Sequence, residues 1–420
     1  MEQNRIKLEK ILLSDGFKWS VYAFFTILLV LVNLVIIILN FQWDFKIYYF
    51  ATKYFMNGQS PYNEIYLGLP YVYHPLTLYL FYPFTLCPFY IASFIFLVLK
   101  NIAFLFLLYL WIFKFLEKDD NPQFFIFFSL IAFNTAFFID LMAGNIATFE
   151  ALFIWFAIFF FLKGRKYYLF VLCIIFISYF KLTPILILFL LIFSKDSKRF
   201  IYLIIGFTIF FLFFLIPAFY NPLLFGDYLH YIQTVTREIG PKNPSTLSLI
   251  SFLLMPLVNN YIISLELSVI SSFTLSIISF LLILTIIIHW KINIWKFQKH
   301  YYSPQKQRKI IISLFFLVYC LVVPRFKDYS YIIMIFPAFY LIRTINSDKQ
   351  KVPEKLRNNF LLFLFLFSSY KFISIFFLFA LEYNVLISIY LLFLFFLYNS
   401  YKNFSSVSKI DNLNKLKILL

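Results

Sequence analysis

The sequence is short of charge, glycine and cysteine. Only 13% of its 420 residues are charged, against 63% hydrophobic. A soluble domain of this length needs a polar exterior, so the shortage excludes a soluble globular fold and leaves lipid as the solvent that fits. The eight glycines form no Gly-rich phosphate loop, so nothing here cradles a nucleotide. Cys87, Cys173 and Cys320 all lie in apolar runs, and none stands at metal-ligand spacing from another. They read as core or lipid-facing residues, with no disulfide framework. No long soluble domain and no nucleic-acid module is visible. No cluster of His, Cys and carboxylates demands a metal, and no cofactor is called for.

What the sequence does have is long apolar runs punctuated by basic clusters. A membrane span takes roughly 20 apolar residues, fewer where a helix ends in a cavity. By that rule the sequence predicts an all-α, polytopic protein of about twelve transmembrane helices, near 19–41, 90–113, 123–141, 145–162, 167–180, 184–194, 200–219, 267–288, 310–324, 329–342, 359–380 and 385–400. Arg5, Lys7, Lys10 and Lys18 precede the first run, which is too long for a signal-peptide core and lacks a small-residue cleavage site, so it reads as an uncleaved span. Two shorter apolar stretches, 76–87 and 247–258, carry prolines and read as interfacial or re-entrant segments.

The net charge of +17 would suit nucleic acid if it were clustered on one soluble face, but it is distributed by topology. With the threading above, segments 1–18, 114–122, 163–166, 195–199, 291–309, 343–358 and 401–420 face one side and hold 27 of the 36 Lys and Arg residues. The positive-inside rule makes that side cytoplasmic, with both termini on it, as expected for the plasma or inner membrane. Anionic lipid headgroups are the expected partners of these clusters. The outer side then carries the irregular sequence, in loops 42–75 and 220–246. Non-helical backbone at membrane depth is tolerated only where it is buried in protein or lines a watery cavity, so the outer side is where function is expected.

Candidate chemistry lies there. Asp44 stands where a helix would begin after the first span, as an N-cap, as a carboxylate general base, or as both. Lys46, Tyr48 and Tyr62 follow it in the same loop, and Gly58 reads as a helix C-cap. His74, in Tyr71-Val72-Tyr73-His74-Pro75, reads either as a substrate contact or as a hydrogen-bonded member of an interfacial aromatic belt. Residues 167–180 make only about 21 Å of helix at ~1.5 Å per residue, against a hydrocarbon core of about 30 Å. The tip Lys181-Leu182-Thr183-Pro184 is therefore expected below the outer surface. Helices 310–324 and 329–342 repeat this with the tip Arg325-Phe326-Lys327-Asp328. Cations at such depth either pair internally or bind an anion such as a lipid phosphate. Asp140, Gly144, Asn145 and Glu150 cluster at another outer turn, while Lys100 and Lys371 lie within spans, where each needs a partner. Asn243 and Ser245, in Lys242-Asn243-Pro244-Ser245, supply polar groups in the second long loop.

These residues, in this order, resemble a known family. Asp44-Phe45-Lys46-Ile47-Tyr48-Tyr49, then Asn57-Gly58-Gln59-Ser60-Pro61-Tyr62, then Tyr73-His74-Pro75, are similar to the motifs of the polyprenol-phosphate-sugar-dependent glycosyltransferases of family 87, which include mycobacterial α-mannosyltransferases. Gly144-Asn145 resembles that family's Gly-Gln turn with Asn in place of Gln. Lys181-Leu182-Thr183-Pro184 matches its Lys-Leu-Thr-Pro turn, and Lys242-Asn243-Pro244-Ser245 resembles its Gly-Asn-Gln-Ser. The stretch from Pro324 to Pro337 resembles its last outer motif, although Phe326 to Asp328 lack the His common there. The likeness covers roughly residues 15–345.

The resemblance implies a GT-C-type fold, with a core module over 19–220, a variable module over 221–345 and a C-terminal helix pair with a basic tail over 346–420. It implies transfer of mannose or another hexose or pentose from a polyprenyl-phosphate donor to a glycan or glycolipid acceptor at the extracytoplasmic face, with inversion. Asp44 would be the base. Arg325, Lys327 and Lys181 would hold the donor phosphate, and Lys46, Tyr48, Tyr62, His74, Asn145, Asn243, Ser245 and Asp328 would contact substrate. Two rivals differ from it in recognisable ways. A lipid-linked glycan transporter or flippase is expected to show internal repeats, which are not evident here. An envelope polysaccharide polymerase is expected to have Arg-rich outer loops, whereas loops 42–75 and 220–246 hold only Arg237.

Overall fold

The computed structural model describes residues 15–62, 65–66, 69–117, 120–164, 166–194, 196–236, 243–259, 303–323, 325–347, 358, 362 and 383–398. The expected spans 267–288 and 359–380 lie outside these residues, apart from 362 in the second, and so do Lys242, Lys371 and most of the basic clusters. The chain separates into two compact units, 1–235 and 236–420.

The first unit is helical apart from a two-residue antiparallel ladder that pairs Ile65–Tyr66 with Leu69–Pro70. Its helices are α1 (Asp15–Ile38), α2 (Trp43–Met56), α3 (Leu76–Thr85), α4 (Phe89–Leu110), α5 (Pro122–Ala143), α6 (Ala147–Lys163), α7 (Tyr167–Ser178), α8 (Arg199–Tyr220) and α9 (Pro222–Thr236). Local chemistry sets several ends. Asn121 accepts the Phe124 N–H at 3.0 Å with Pro122 at the first helical position, so α5 starts there. Gly144 and Gly164, at φ 66° and 64°, end α5 and α6 in the left-handed conformation that glycine adopts without a Cβ penalty. The C-cap of α2 is Asn57 and not Gly58 as expected; Gly58, at φ 78°, is the next residue and takes the left-handed turn beyond the cap. Helix α4 runs on into a π-helical turn, Trp111–Phe115, and α5 is broken at Ala132–Thr135.

Among the described residues, three helices are long and apolar enough to cross a membrane: Phe89–Phe115, Pro122–Ala143 and Arg199–Tyr220. The pair Ala23–Ile38 and Trp43–Met56, bent by 50°, makes a fourth if it is taken as one span. Two polar side chains inside these helices pair with each other. Asn101 Nδ2 donates to Asn33 Oδ1 at 2.9 Å and ties α4 to α1, where no water competes. Helix α8 buries Gly206, Phe210 and Pro217 and turns Phe211, Leu212 and Phe213 outward, a surface that only lipid tolerates. An open apolar groove of about 610 Å³ runs along it, between Phe189 and Leu203, Phe207, Phe211 and Leu215.

Two expectations are corrected. The return arm 184–194 is not an α-helix but a 3₁₀ helix, Thr183–Phe193. The second outer loop, 220–246, contains a helix, α9. Pro222 sits at the start of α9, and its Leu224, Phe225 and Tyr228 join a core built on Phe45, Tyr48 and Tyr62.

The second unit contains α10 (Thr246–Asn259), α11 (Pro304–Val322), a 3₁₀ turn (Asp328–Met334) leading into α12 (Ile335–Ser347), and α13 (Asn384–Tyr398). Ser303 accepts the Lys306 N–H at 3.3 Å, and Pro304 opens α11. The expected hairpin 310–324 and 329–342 is present, with a 3₁₀ start to its second arm.

Gly206 gives a direct test of the packing of α8. A Cβ there would meet Leu188 Cδ1 at 2.9 Å and Val171 Cγ1 at 3.1 Å. Gly206→Leu overfills that contact and is expected to cost about 1–3 kcal/mol, read as a lowered unfolding midpoint of the purified protein in detergent. An unchanged midpoint would mean that α8 does not pack on Leu188.

Candidate active site

The site in the first unit begins at the junction of α1 and α2. Gln42 takes a left-handed backbone (φ 69°) at the N-cap position, its N–H donates to the Met142 carbonyl at 2.7 Å, and its Oε1 accepts from Ser93 Oγ at 3.0 Å. Asp44 is therefore not the N-cap: that position belongs to Gln42, because the bond to Met142 starts the helix before Asp44 is reached. Asp44 lies in the first turn instead, where the helix dipole favours a carboxylate.

The α5–α6 turn meets this junction closely. A Cβ on Gly144 would lie 2.8 Å from Gln42 Cβ and 3.0 Å from both Gln42 Cα and Phe45 Cβ. With its positive φ as well, the position admits only glycine. That approach brings the next residue, Asn145, under Asp44. Asn145 is fully buried, and its Nδ2 donates to Asp44 Oδ2 at 2.7 Å. The same nitrogen lies 3.0 Å from the Tyr48 hydroxyl and 3.2 Å from that of Tyr73. The two hydroxyls are 2.8 Å apart. Since a carboxylate only accepts, this geometry fixes which end of the amide faces Asp44. The half-buried Asp44 carboxylate thus sits on an amide braced by two phenols.

Behind this network is an aromatic wall. Tyr62 is buried, and its hydroxyl donates to the Tyr73 carbonyl at 2.7 Å. Burial, helped by Tyr71, pushes the Tyr62 hydroxyl well above its ordinary range, so it stays a neutral donor. His74 is buried against Phe214, Tyr179 and Tyr228. Its Nε2 lies 3.0 Å from the Phe214 carbonyl, and its Nδ1 accepts the Leu76 N–H at 3.3 Å. Those partners assign the neutral tautomer protonated on Nε2. Burial pushes the imidazole down to about 4, against the partial opposition of the Phe214 bond. Ser60 Oγ donates to Asp227 Oδ2 at 2.5 Å and ties the loop to α9.

Beneath the turn, Lys100 Nζ lies 2.8 Å from Asp140 Oδ2, and both side chains are fully buried. Lys181 pairs with Glu150, so the cation of the Lys-Leu-Thr-Pro tip already has an anion. Lys46 points elsewhere: its Nζ donates to the Asn40 carbonyl at 2.9 Å and lies over the Phe89 ring.

In the second unit, Asn243 Oδ1 accepts the Phe326 N–H at 2.8 Å, and the Tyr331 hydroxyl donates to the Pro244 carbonyl at 2.9 Å. Ser245 Oγ accepts the Ser248 N–H at 3.3 Å and caps α10. Asn243 and Ser245 are thus buried parts of the frame that holds the tip Arg325–Asp328, whose Arg325, Lys327 and Asp328 are half-buried.

Of the residues singled out in the sequence, the fold joins Asp44, Tyr48 and Asn145 into one network. It also joins Asn243 to the Arg325–Asp328 tip, while Ser245 caps α10. Tyr62 and His74 stand in the wall, and Lys46 stands apart. Three contributors were missed: Tyr73 as a bracing hydroxyl, Gln42 as the anchor of the α2 start, and the pairing of Lys100 with Asp140. Tyr73 was visible in its motif. The other two depend on contacts between distant segments.

Among the described residues, no group of three or more His, Cys, Asp and Glu side chains gathers as a metal would require. The sequence model of glycosyltransferase family 87 matches residues 71–324, well over half of the chain. That range takes in His74, Asn145, Lys181, Asn243 and Ser245, while Asp44 precedes it and Arg325 follows it. No curated protein and no solved structure matches the chain.

Two outcomes are expected. Gly144→Ala forces a non-glycine residue into left-handed backbone, costing about 1–2 kcal/mol, and pushes Gln42 and Asp44 aside. Its unfolding midpoint should fall; a variant as stable as the parent would refute the close approach. His74 is neutral when folded but titrates near 6.5 when unfolded. Its contribution to stability is therefore full above pH 6.5 and is lost as pH falls from there through 4. The difference in midpoint between the parent and His74→Gln should shrink over that window, as measured by thermal unfolding across pH.

Proposed function

The chain belongs to glycosyltransferase family 87 and is a glycosyltransferase, and we propose that it moves a sugar from a polyprenyl-phosphate donor to a glycan or glycolipid acceptor at the extracytoplasmic membrane face, with Asp44 as general base. The observation that carries this reading is the 2.7 Å hydrogen bond from Asn145 to Asp44. A base must be held in one orientation while staying open to its substrate, and a half-buried carboxylate fixed from below by an amide meets that requirement. The aromatic wall beside it suits the apolar faces of a sugar ring. An apolar groove such as the one along α8 suits an isoprenoid chain.

In this mechanism Asp44 takes the proton from an acceptor hydroxyl, and the freed oxygen attacks the anomeric carbon with inversion. The bond from that carbon to the phosphate oxygen breaks, and polyprenyl phosphate leaves with the electron pair. Arg325 and Lys327 offset the charge that grows on the phosphate, with Lys181 contributing when Glu150 shares it. Tyr48 and Asn145 orient the base, and Tyr62 and His74 shape the sugar side. Asn243 and Ser245 hold the tip that carries Arg325 and Asp328, and Lys46 lies at the rim. The membrane arrangement that goes with this is a GT-C-type chain of about twelve spans with cytoplasmic termini, so that the donor arrives through the bilayer.

Asp44→Asn and Asp44→Ala should lower turnover by about 10²–10⁴-fold, the range of a lost general base, while the protein still folds and inserts. The assay is release of polyprenyl phosphate from a panel of polyprenyl-phosphate sugars by the purified full chain in lipid nanodiscs. Parental turnover in Asp44→Asn would remove Asp44 from the chemistry.

A further inference from the structure

We infer that the buried pair of Lys100 and Asp140 is a positioning device for Asp44, acting through the Gly144–Asn145 turn; this rests on reading Asp44 as the base. Asp140 makes contacts in several directions. Its carbonyl accepts the Gly144 N–H at 3.0 Å and Lys100 Nζ at 2.5 Å. Its Oδ2 accepts the Thr148 hydroxyl at 2.5 Å and the Thr148 N–H at 3.2 Å, and lies 2.8 Å from Lys100 Nζ. One residue therefore closes the end of α5 and caps the start of α6. Lys100, reaching in from α4, clamps it by both main chain and side chain. Between these anchors run only a few residues, among them Gly144, pressed on Gln42, and Asn145, bonded to Asp44. A change in the pair is transmitted to Asp44 over two contacts.

The energetics argue that the pair is not there for stability. Charges inside a bilayer are expensive. An apolar substitute for a buried ion pair is often neutral or stabilising, whereas removing one partner alone is costly. What a salt bridge supplies and an apolar contact lacks is direction, and direction is what the turn under Asp44 needs. Lys100 also lies within electrostatic reach of Asp44. Groups that face Asp44 include Tyr48 on α2 and Tyr73 from the loop before α3, both on Asn145, and Lys100 on α4 with its partner Asp140 on α5, while Lys46 on α2 turns to the Asn40 carbonyl and Lys181 is paired with Glu150.

The test uses the full chain in lipid nanodiscs with Lys100→Met and Asp140→Asn combined, so that no unpaired charge is left behind. The Asp44 carboxyl is followed through a pH titration by infrared difference spectroscopy, its band being identified by subtracting the Asp44→Asn spectrum. The double variant should keep its unfolding midpoint. Because the loosened turn weakens the Asn145 hydrogen bond to the charged carboxylate, Asp44 protonation should move upward by about one pH unit, a tenfold change in proton affinity. With a turned-over polyprenyl-phosphate sugar, kcat should fall about tenfold or more at little-changed KM, as for a misplaced catalytic group. An unmoved Asp44 titration overturns the inference, whether or not the variant is less stable. If Asp44→Asn transfers sugar at the parental rate, the base reading fails, while the infrared titration still decides whether the pair positions Asp44.

Discussion

A backbone hydrogen bond 2.7 Å long, from the Gln42 N–H to the Met142 carbonyl, joins two segments a hundred residues apart, and the geometry of the site follows from it. The bond is possible only because Gly144 has no side chain and accepts a positive φ, which lets the α5–α6 turn press onto the start of α2. Once the two are in contact, Asn145 has little choice but to face Asp44. The Tyr48 and Tyr73 hydroxyls then complete the floor of the site. The members of such a network support one another, so the loss of one weakens the rest.

Around this junction the structure separates roles that look alike in sequence. Tyr62 and His74 are polar aromatics beside the site, yet both spend their hydrogen-bonding atoms on the main chain, so they act as props. Asn243 and Ser245 do the same for the Arg325–Asp328 tip. Lys100 and Lys181 are both cations with carboxylate partners. Lys100 is sealed with Asp140, whereas Lys181 keeps part of its surface open beside Glu150.

Much of the fold was legible. Apolar runs bounded by charge located the helices of the first unit to within a few residues, because a bilayer demands length and hydrophobicity and little else. Gly58 and Gly144 announced their turns. Two features were not legible. The residues 184–193 are as apolar as an α-helical span, and nothing in their pattern distinguishes a 3₁₀ from an α-helical winding. Helix α9 is short and only partly apolar, so it read as loop until its Phe225 and Tyr228 were seen packed against His74. In the site, Asp44 was marked by its place after the first span, but its partner Asn145 is 101 residues away, and spacing alone cannot join them. The pairing of Lys100 with Asp140 was hidden for the same reason: Lys100 reads as a charge in need of a partner and Asp140 as one of a cluster at an outer turn, and only the packing of α4 on α5 joins them.

The 3₁₀ arm has a consequence for the membrane itself. At ~2.0 Å per residue, an eleven-residue 3₁₀ segment reaches about 22 Å, whereas the same residues wound as an α-helix would reach only about 16 Å. Stretching makes the return arm longer than its partner α7, whose twelve residues reach about 18 Å, but neither arm attains the ~30 Å of a full hydrocarbon layer. Set in the bilayer as the proposed arrangement has it, this hairpin would require the lipid beside it to thin. A lipid-borne phosphate at that edge would ride lower than its neighbours, at the depth of Lys181, before any protein contact had drawn it down.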